Sequence, residues 1–319
     1  LDWIDDVDGR PFFAFVNYFD VHGPYLPPAP YAGRFSDKVY DRRDNKIDIG
    51  ALTDDVVVPP PVELQRMVDL YDESILYIDA QLDQLFDALR SRGKLDNTMV
   101  VITSDHGESW GEHGMMYHGH SLYRETLHVP LIVRYPKLAA AGTRAARPVT
   151  IQQFPATVAA IAGIPAGEFP GTSFFAAPPV AEPQGVLAEV GRRSTVAANW
   201  PSSTGWLASL LTARWQFTVH EDGTAELFDL ARDPRALDNV AGQPGHADSV
   251  AHLRQQLNRL RRQESWIGKS DGGSHGRAAA RPGVAATHCV GDSHRRGLVR
   301  PAHRPRGRGG ARLPQGHPR

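Results

Sequence analysis

From Glu63 to Arg92, apolar side chains return every three or four positions: Leu64, Met67, Val68, Tyr71, Ile75, Ile78, Leu82, Leu85, Phe86 and Leu89. That period predicts a long amphipathic helix, stopped at Gly93. Thr98 to Thr103 then switches to a continuous β-branched run, the mark of a strand covered on both faces. Two further runs, Pro11 to Tyr18 and Val129 to Tyr135, read the same way, the first as a buried strand ending at Asp20. Helix followed by buried strand predicts an α/β part with a mixed, mostly parallel sheet. Four prolines and a glycine in residues 21–30 forbid regular structure there. Residues 31–60 and 104–127 read as loops, the first long enough to line a functional site or to be mobile. Residues 151–163 form an amphipathic pattern ending at Gly163.

Beyond about residue 180 the runs shorten. Gly185–Val190, Trp206–Thr212, Trp215–His220 and Glu226–Asp229 are strand candidates, the last two joined across Glu221-Asp222-Gly223-Thr224 as a hairpin. His246–Gln263 returns to helical spacing. The division this predicts is an α/β part over 1–179, a small antiparallel sheet with one helix over 180–267, and a tail over 268–319. The tail has no apolar periodicity and is read as disordered.

Composition narrows the classes. With 41% apolar and 22% charged residues the chain is neither collagen, coiled coil nor wholly disordered. No apolar run approaches the ~18 residues of a membrane span. Cys289, the single cysteine, excludes an intramolecular disulfide framework and a Cys-rich zinc site. The net charge of −1 conceals a split. Residues 268–319 hold Lys269 and ten arginines against Asp271 and Asp292, a balance of +9 that leaves −10 for 1–267. The body is therefore not a nucleic-acid binder by charge. The tail reads as a frame-shifted or misjoined end in preference to a polyanion-binding arm. Leu1, without Met or signal sequence, reads as an internal cut.

Candidate chemistry collects at two strand ends. Ser104-Asp105-His106-Gly107-Glu108 directly follows the Thr98–Thr103 run, where ligand sites of parallel sheets lie. A carboxylate and an imidazole are good metal ligands, and Gly107 permits a tight turn. The plain alternative is a helix N-cap by Asp105, with Glu108 completing the box. His113, His118 and His120 follow in the same Gly-rich loop, with Glu112 among them, which favours an anion or metal site. The second strand end is Asp20-Val21-His22-Gly23-Pro24-Tyr25. One shared site is the better reading of two such ends.

These segments, NYFDVHGPYLPP, LYDESILYIDAQLDQLFDALRSRGKLDNTMVVITSDHGESWGEHG and HGHSLYRETLHVPLIVRYP, resemble a sulfatase of the alkaline phosphatase superfamily. IQQFPATVAAIAGIP and ELFDLARDPRALDNVA continue the resemblance, which covers essentially 1–263 in order. It implies an alkaline-phosphatase-like α/β sandwich and hydrolysis of a sulfate ester, including carbohydrate esters. Asp105 and His106 would be two ligands of a divalent cation, usually Ca²⁺, with His a permitted variant of the family's Asn. His22 would bond the sulfate or protonate the leaving oxygen. His118 or His120 would take the place of a basic residue, often Lys, that contacts sulfate; counting back from Pro130 lands on Gly119, between them.

The sequence departs from the family in two respects. The formylglycine nucleophile arises from Cys or Ser in a C/S-x-P-x-R motif, and no such motif occurs here. Two further Asp ligands, which lie near the family's N-terminus, have no counterpart. The expectation is a fragment that is inactive alone, binds metal weakly and leaves a sheet edge exposed. Many relatives are exported, so a periplasmic or secreted protein is expected. Two other readings remain: a phosphodiesterase, phosphonate hydrolase or phospho-headgroup transferase, and a non-catalytic binder of sulfated glycans.

Overall fold

The computed structural model describes residues 4–5, 10–37 and 58–264, except 146, 166, 168, 170, 177–184 and 194–197. The predicted tail and most of the 31–60 loop lie outside these residues. The long helix is α1, Pro61–Ser91, with Pro61 in the first turn, where its missing N–H costs nothing. A short 3₁₀ turn, Leu95–Asn97, leads into β1, Val100–Thr103. After β1 the chain makes a two-residue hairpin, β2 (Ser109–Trp110) with β3 (Met116–Tyr117), and one helical turn, α2 (Arg124–Leu127). It returns as β4, Leu131–Arg134, and continues to α3, Gln153–Ile161.

β1 and β4 pair antiparallel, Val100 opposite Arg134 and Thr103 opposite Leu131. Every strand pairing among the described residues is antiparallel. This differs from the parallel arrangement expected around β1. The α1–β1 order suggested a crossover, but the connection from β1 to β4 holds only short pieces, the β2–β3 hairpin and the four-residue α2, and no long helix. A crossover between parallel strands needs a longer element.

A second difference concerns Pro11 to Tyr18. This run pairs with no strand among the described residues, and Phe13, Phe15, Val16 and Phe19 are each more than half exposed. Phe12 packs inward, beside Ile4, Leu85, Leu89, Leu95 and Val100. The composition is that of a strand, but a strand needs a ladder partner and a covering layer to become one.

The C-terminal meander is as the sequence reads. β5 (Val186–Val190), β6 (Leu207–Leu211), β7 (Trp215–His220) and β8 (Ala225–Asp229) form a four-stranded antiparallel sheet in sequence order. The β7–β8 turn places Gly223 at φ 89°, a conformation glycine adopts without strain. Side chains alternate across this sheet. Ala208, Leu210, Phe217, Val219 and Leu227 face helix α4 (Ala247–Glu264) and meet Leu253, Leu257 and Leu260. Gln216, Glu226 and Phe228 reach the loop between β3 and α2 on the other face. Leu257→Ala empties a fully buried position of this core and is expected to cost about 2–5 kcal/mol, read as a lowered urea midpoint at unchanged slope. No helix among the described residues is long and apolar enough to cross a membrane.

Candidate functional site

The chain leaves β1 at Thr103 and turns at once. Ser104 Oγ donates to the His106 carbonyl at 2.7 Å, and Asp105 Oδ1 accepts from the His106 N–H at 3.0 Å. No helix follows, so Asp105 is not an N-cap. Gly107 N–H donates to the Thr126 carbonyl at 2.9 Å, tying the turn to α2. A β-carbon on Gly107 would lie 1.9 Å from the Glu125 carbonyl oxygen, so glycine is required here for close backbone approach. The Asp105 side chain is left 74% exposed, with Oδ2 3.5 Å from His106 Nε2.

Three imidazoles meet at this point. His106 and His118 stack with ring centres 3.9 Å apart, and His22 stands edge-on to His118 at 5.7 Å. His22 itself stacks on Phe19. In each ring Nδ1 faces an acceptor: Gly23 O at 2.7 Å from His22, Gly107 O at 2.9 Å from His106, and Glu108 Oε1 at 2.9 Å from His118. The other Glu108 oxygen accepts from the Tyr25 hydroxyl at 3.0 Å. Tyr25 is fully buried against Tyr71 and Trp110, and burial beside Glu108 pushes its phenol well above the ordinary range, so it stays a donor.

His120 lies elsewhere. It is fully buried, its Nε2 bonds the Met116 carbonyl at 2.7 Å, and its ring packs on Trp200. The structure therefore brings His22, His106 and His118 together with Asp105, and leaves His120 in the core. His113 stacks on Tyr123, whose hydroxyl donates to Glu226 Oε1 at 3.1 Å. Further ties hold this loop to the C-terminal part. Gln216 Nε2 donates to Leu122 O, Arg193 Nη1 to Gly119 O, and Arg235 pairs with Glu112. No pattern along the chain marks these partners, since each is distant in sequence and chemically ordinary.

Burial holds His113 and His120 below the ordinary imidazole value of 6.5. The unfolded chain takes up protons at these rings below that pH, while the folded chain does not. Stability is thus expected to be flat above pH 6.5 and to fall below it, by at most about 1.4 kcal/mol per pH unit for each ring. Thermal melts from about pH 7.5 down to about pH 5.5 check this. A rising melting temperature over that range contradicts it.

Asp105 and His106 fit two ligands of one divalent cation. One carboxylate oxygen and one ring nitrogen lie close together, the carboxylate is open, and His106 Nδ1 is oriented by a carbonyl as metal-bound histidines usually are. Among the described residues no three His, Cys, Asp or Glu side chains gather to hold a metal ion.

A sequence model of the sulfatase family matches residues 1–164, just over half of the chain. The chain belongs to the sulfatase family. Solved sulfatases share its alkaline-phosphatase-like fold. The sulfatase YidJ of Escherichia coli, itself uncharacterised, is 27% identical over 261 residues, covering 78% of this chain and 50% of that protein. The N-acetylglucosamine-6-O-sulfatase of Bacteroides thetaiotaomicron is 28% identical over 206 residues, covering 62% of this chain and 36% of that protein. Among solved structures, the phosphonate monoester hydrolase of Agrobacterium radiobacter aligns at 25% identity and a TM-score of 0.55, covering 63% of this chain and 42% of the other. This sulfatase chain thus spans a third to a half of the length of the curated relatives it matches.

Proposed function

We propose that this sulfatase chain carries the later half of a sulfuric ester hydrolase site acting on sulfated carbohydrates. The observation that supports it most is the chain of contacts from His22 to His118 to His106 to Asp105 at the end of β1. The relative acting on N-acetylglucosamine 6-O-sulfate supports the substrate class. On this reading residues 1–179 belong to the catalytic part and 180–267 form the subdomain that braces the histidine loop.

Asp105 and His106 would hold the divalent cation, Ca²⁺ by resemblance, which when bound draws negative charge off the sulfate oxygens. His118, half-exposed and backed by Glu108, takes the basic position; the buried His120 does not. His118 Nε2 donates to a non-bridging sulfate oxygen, with the Glu108 carboxylate balancing the charge. His22, with Nδ1 held by Gly23 O, turns Nε2 toward the ester and delivers a proton to the departing alkoxide. The attacking formylglycine has no source in this sequence, so the chain by itself is proposed to turn over no ester. Dialysis equilibrium with inorganic sulfate and Ca²⁺ tests the site. His118→Ala is expected to weaken sulfate about tenfold, the value of one charged hydrogen bond; unchanged affinity sinks the assignment.

A second reading has support of its own. The imidazole of His106 beside the Asp105 carboxylate suits zinc as well as calcium, and the aligned phosphonate monoester hydrolase performs the related chemistry its name states. Tighter binding of methylphosphonate than of sulfate in the same dialysis would favour it.

A further inference from the structure

Glu108 has a place in this site that metal and anion contacts do not account for. Its side chain is only 9% exposed and lies between two elements that the sequence separates widely. One oxygen receives the Tyr25 hydroxyl, from the Pro-rich segment before α1; the other receives His118 Nδ1, from the loop after β3. Tyr25 is itself locked by Tyr71 of α1 and Trp110 of β2. The carboxylate therefore cannot swing away, and neither can the ring it holds.

We infer that Glu108 is the positioning residue of the site: with Tyr25 gripping one oxygen, its other oxygen fixes His118 as the Nδ1–H tautomer and leaves Nε2 as the ring nitrogen facing the substrate. The three neighbouring rings then differ in one respect. His22 and His106 are oriented by backbone carbonyls, which carry no net charge. Of the three, His118 is the ring whose Nδ1 meets a carboxylate, while His106 meets its carboxylate, Asp105, through Nε2, so His118 is the ring whose Nε2 is left free to face an anion. His106, with Nδ1 on the Gly107 carbonyl and Nε2 beside the open Asp105, has the orientation of a metal-ligating ring. The order Tyr25–Glu108–His118 repeats the logic of an acid that orients a catalytic imidazole through its far nitrogen. The role assigned to His118 rests on the sulfatase reading above; the tautomer does not.

Long-range ¹H–¹⁵N spectra of the histidine-labelled full chain, at a pH above about 8 where free imidazole is neutral, read the tautomer directly. The wild-type protein is expected to show His118 protonated on Nδ1. In Glu108→Gln, Tyr25 still donates to the amide oxygen, so the amide N–H₂ faces Nδ1 and the ring is expected to flip to Nε2–H. Glu108→Asp, which restores a carboxylate, is expected to recover Nδ1–H in at least part of the population. A wild-type ring on Nε2–H overturns the inference even if the variants fail to fold, and so does a Gln variant that keeps Nδ1–H. Inorganic sulfate added to the wild type at about pH 5.5, where free imidazole is protonated and Nε2 can donate, then separates the two ideas. Shifts confined to His22 and His118 Nε2 support both. No shift, with Nδ1–H intact, overturns the anion reading and leaves the hold of Glu108 on the ring standing.

Discussion

Gly107→Ala should collapse the site. The added methyl would meet the Glu125 carbonyl oxygen at 1.9 Å and Thr126 Cα at 3.3 Å. Neither is the end of a flexible side chain, so two backbone segments must separate. That breaks the bond from Gly107 N–H to Thr126 O and moves His106 off His118. The expected cost is about 3 kcal/mol or more, at the upper end for overpacking. Urea denaturation gives the loss, and disappearance of His106–His118 ring contacts in nuclear Overhauser spectra shows where it falls. A variant of wild-type stability with those contacts intact contradicts the packing described.

The second large effect is expected at Glu73, near the middle of α1. This carboxylate is fully buried and accepts three backbone N–H groups: Gly33 at 3.0 Å, Phe35 at 2.7 Å and Ser36 at 2.9 Å. It fastens the segment that carries Tyr25 to the helix. Glu73→Ala takes the carboxylate away from three backbone donors and should cost about 3–5 kcal/mol. Glu73→Gln keeps one acceptor oxygen and should cost about half as much. Proteolysis of the native protein is expected to shift to residues 33–36 in the alanine variant. Equal stability of all three proteins contradicts the role of the carboxylate.

Much of this architecture is legible in the sequence where a single local rule decides it. α1 follows from one uninterrupted period, and the β5–β8 meander from alternation plus one Asp-Gly turn. The rules fail where the answer depends on a partner. Pro11 to Tyr18 has strand composition but no ladder, and remains exposed. Glu73 looks like one more charged residue on a helix, because its partners are backbone groups some forty residues away. Gly107 suggested a turn; what requires it is the approach of the Glu125 carbonyl.

The site divides in the same way. Asp105 and His106 were legible as strand-end residues; His22 was picked out by the same rule, although the run before it forms no strand among the described residues. The choice between His118 and His120 was not, because it depends on which ring the β3 hairpin buries. Met116 O and Trp200 claim His120, and Glu108 draws His118 to the other side. Tyr25 stood in the HGPY motif, but its bond to Glu108 spans 83 positions. Spacing along the chain cannot disclose such a link.

The most direct test of the central claim is sulfate affinity as a function of Ca²⁺, measured by titration calorimetry on the wild-type chain and on Asp105→Asn. If Asp105 and His106 hold a cation beside the anion that His118 and His22 receive, Ca²⁺ should tighten sulfate binding in the wild type. The Asn variant should lose most of that gain. Sulfate affinity indifferent to Ca²⁺ in both proteins would contradict a shared cation and sulfate site at the end of β1.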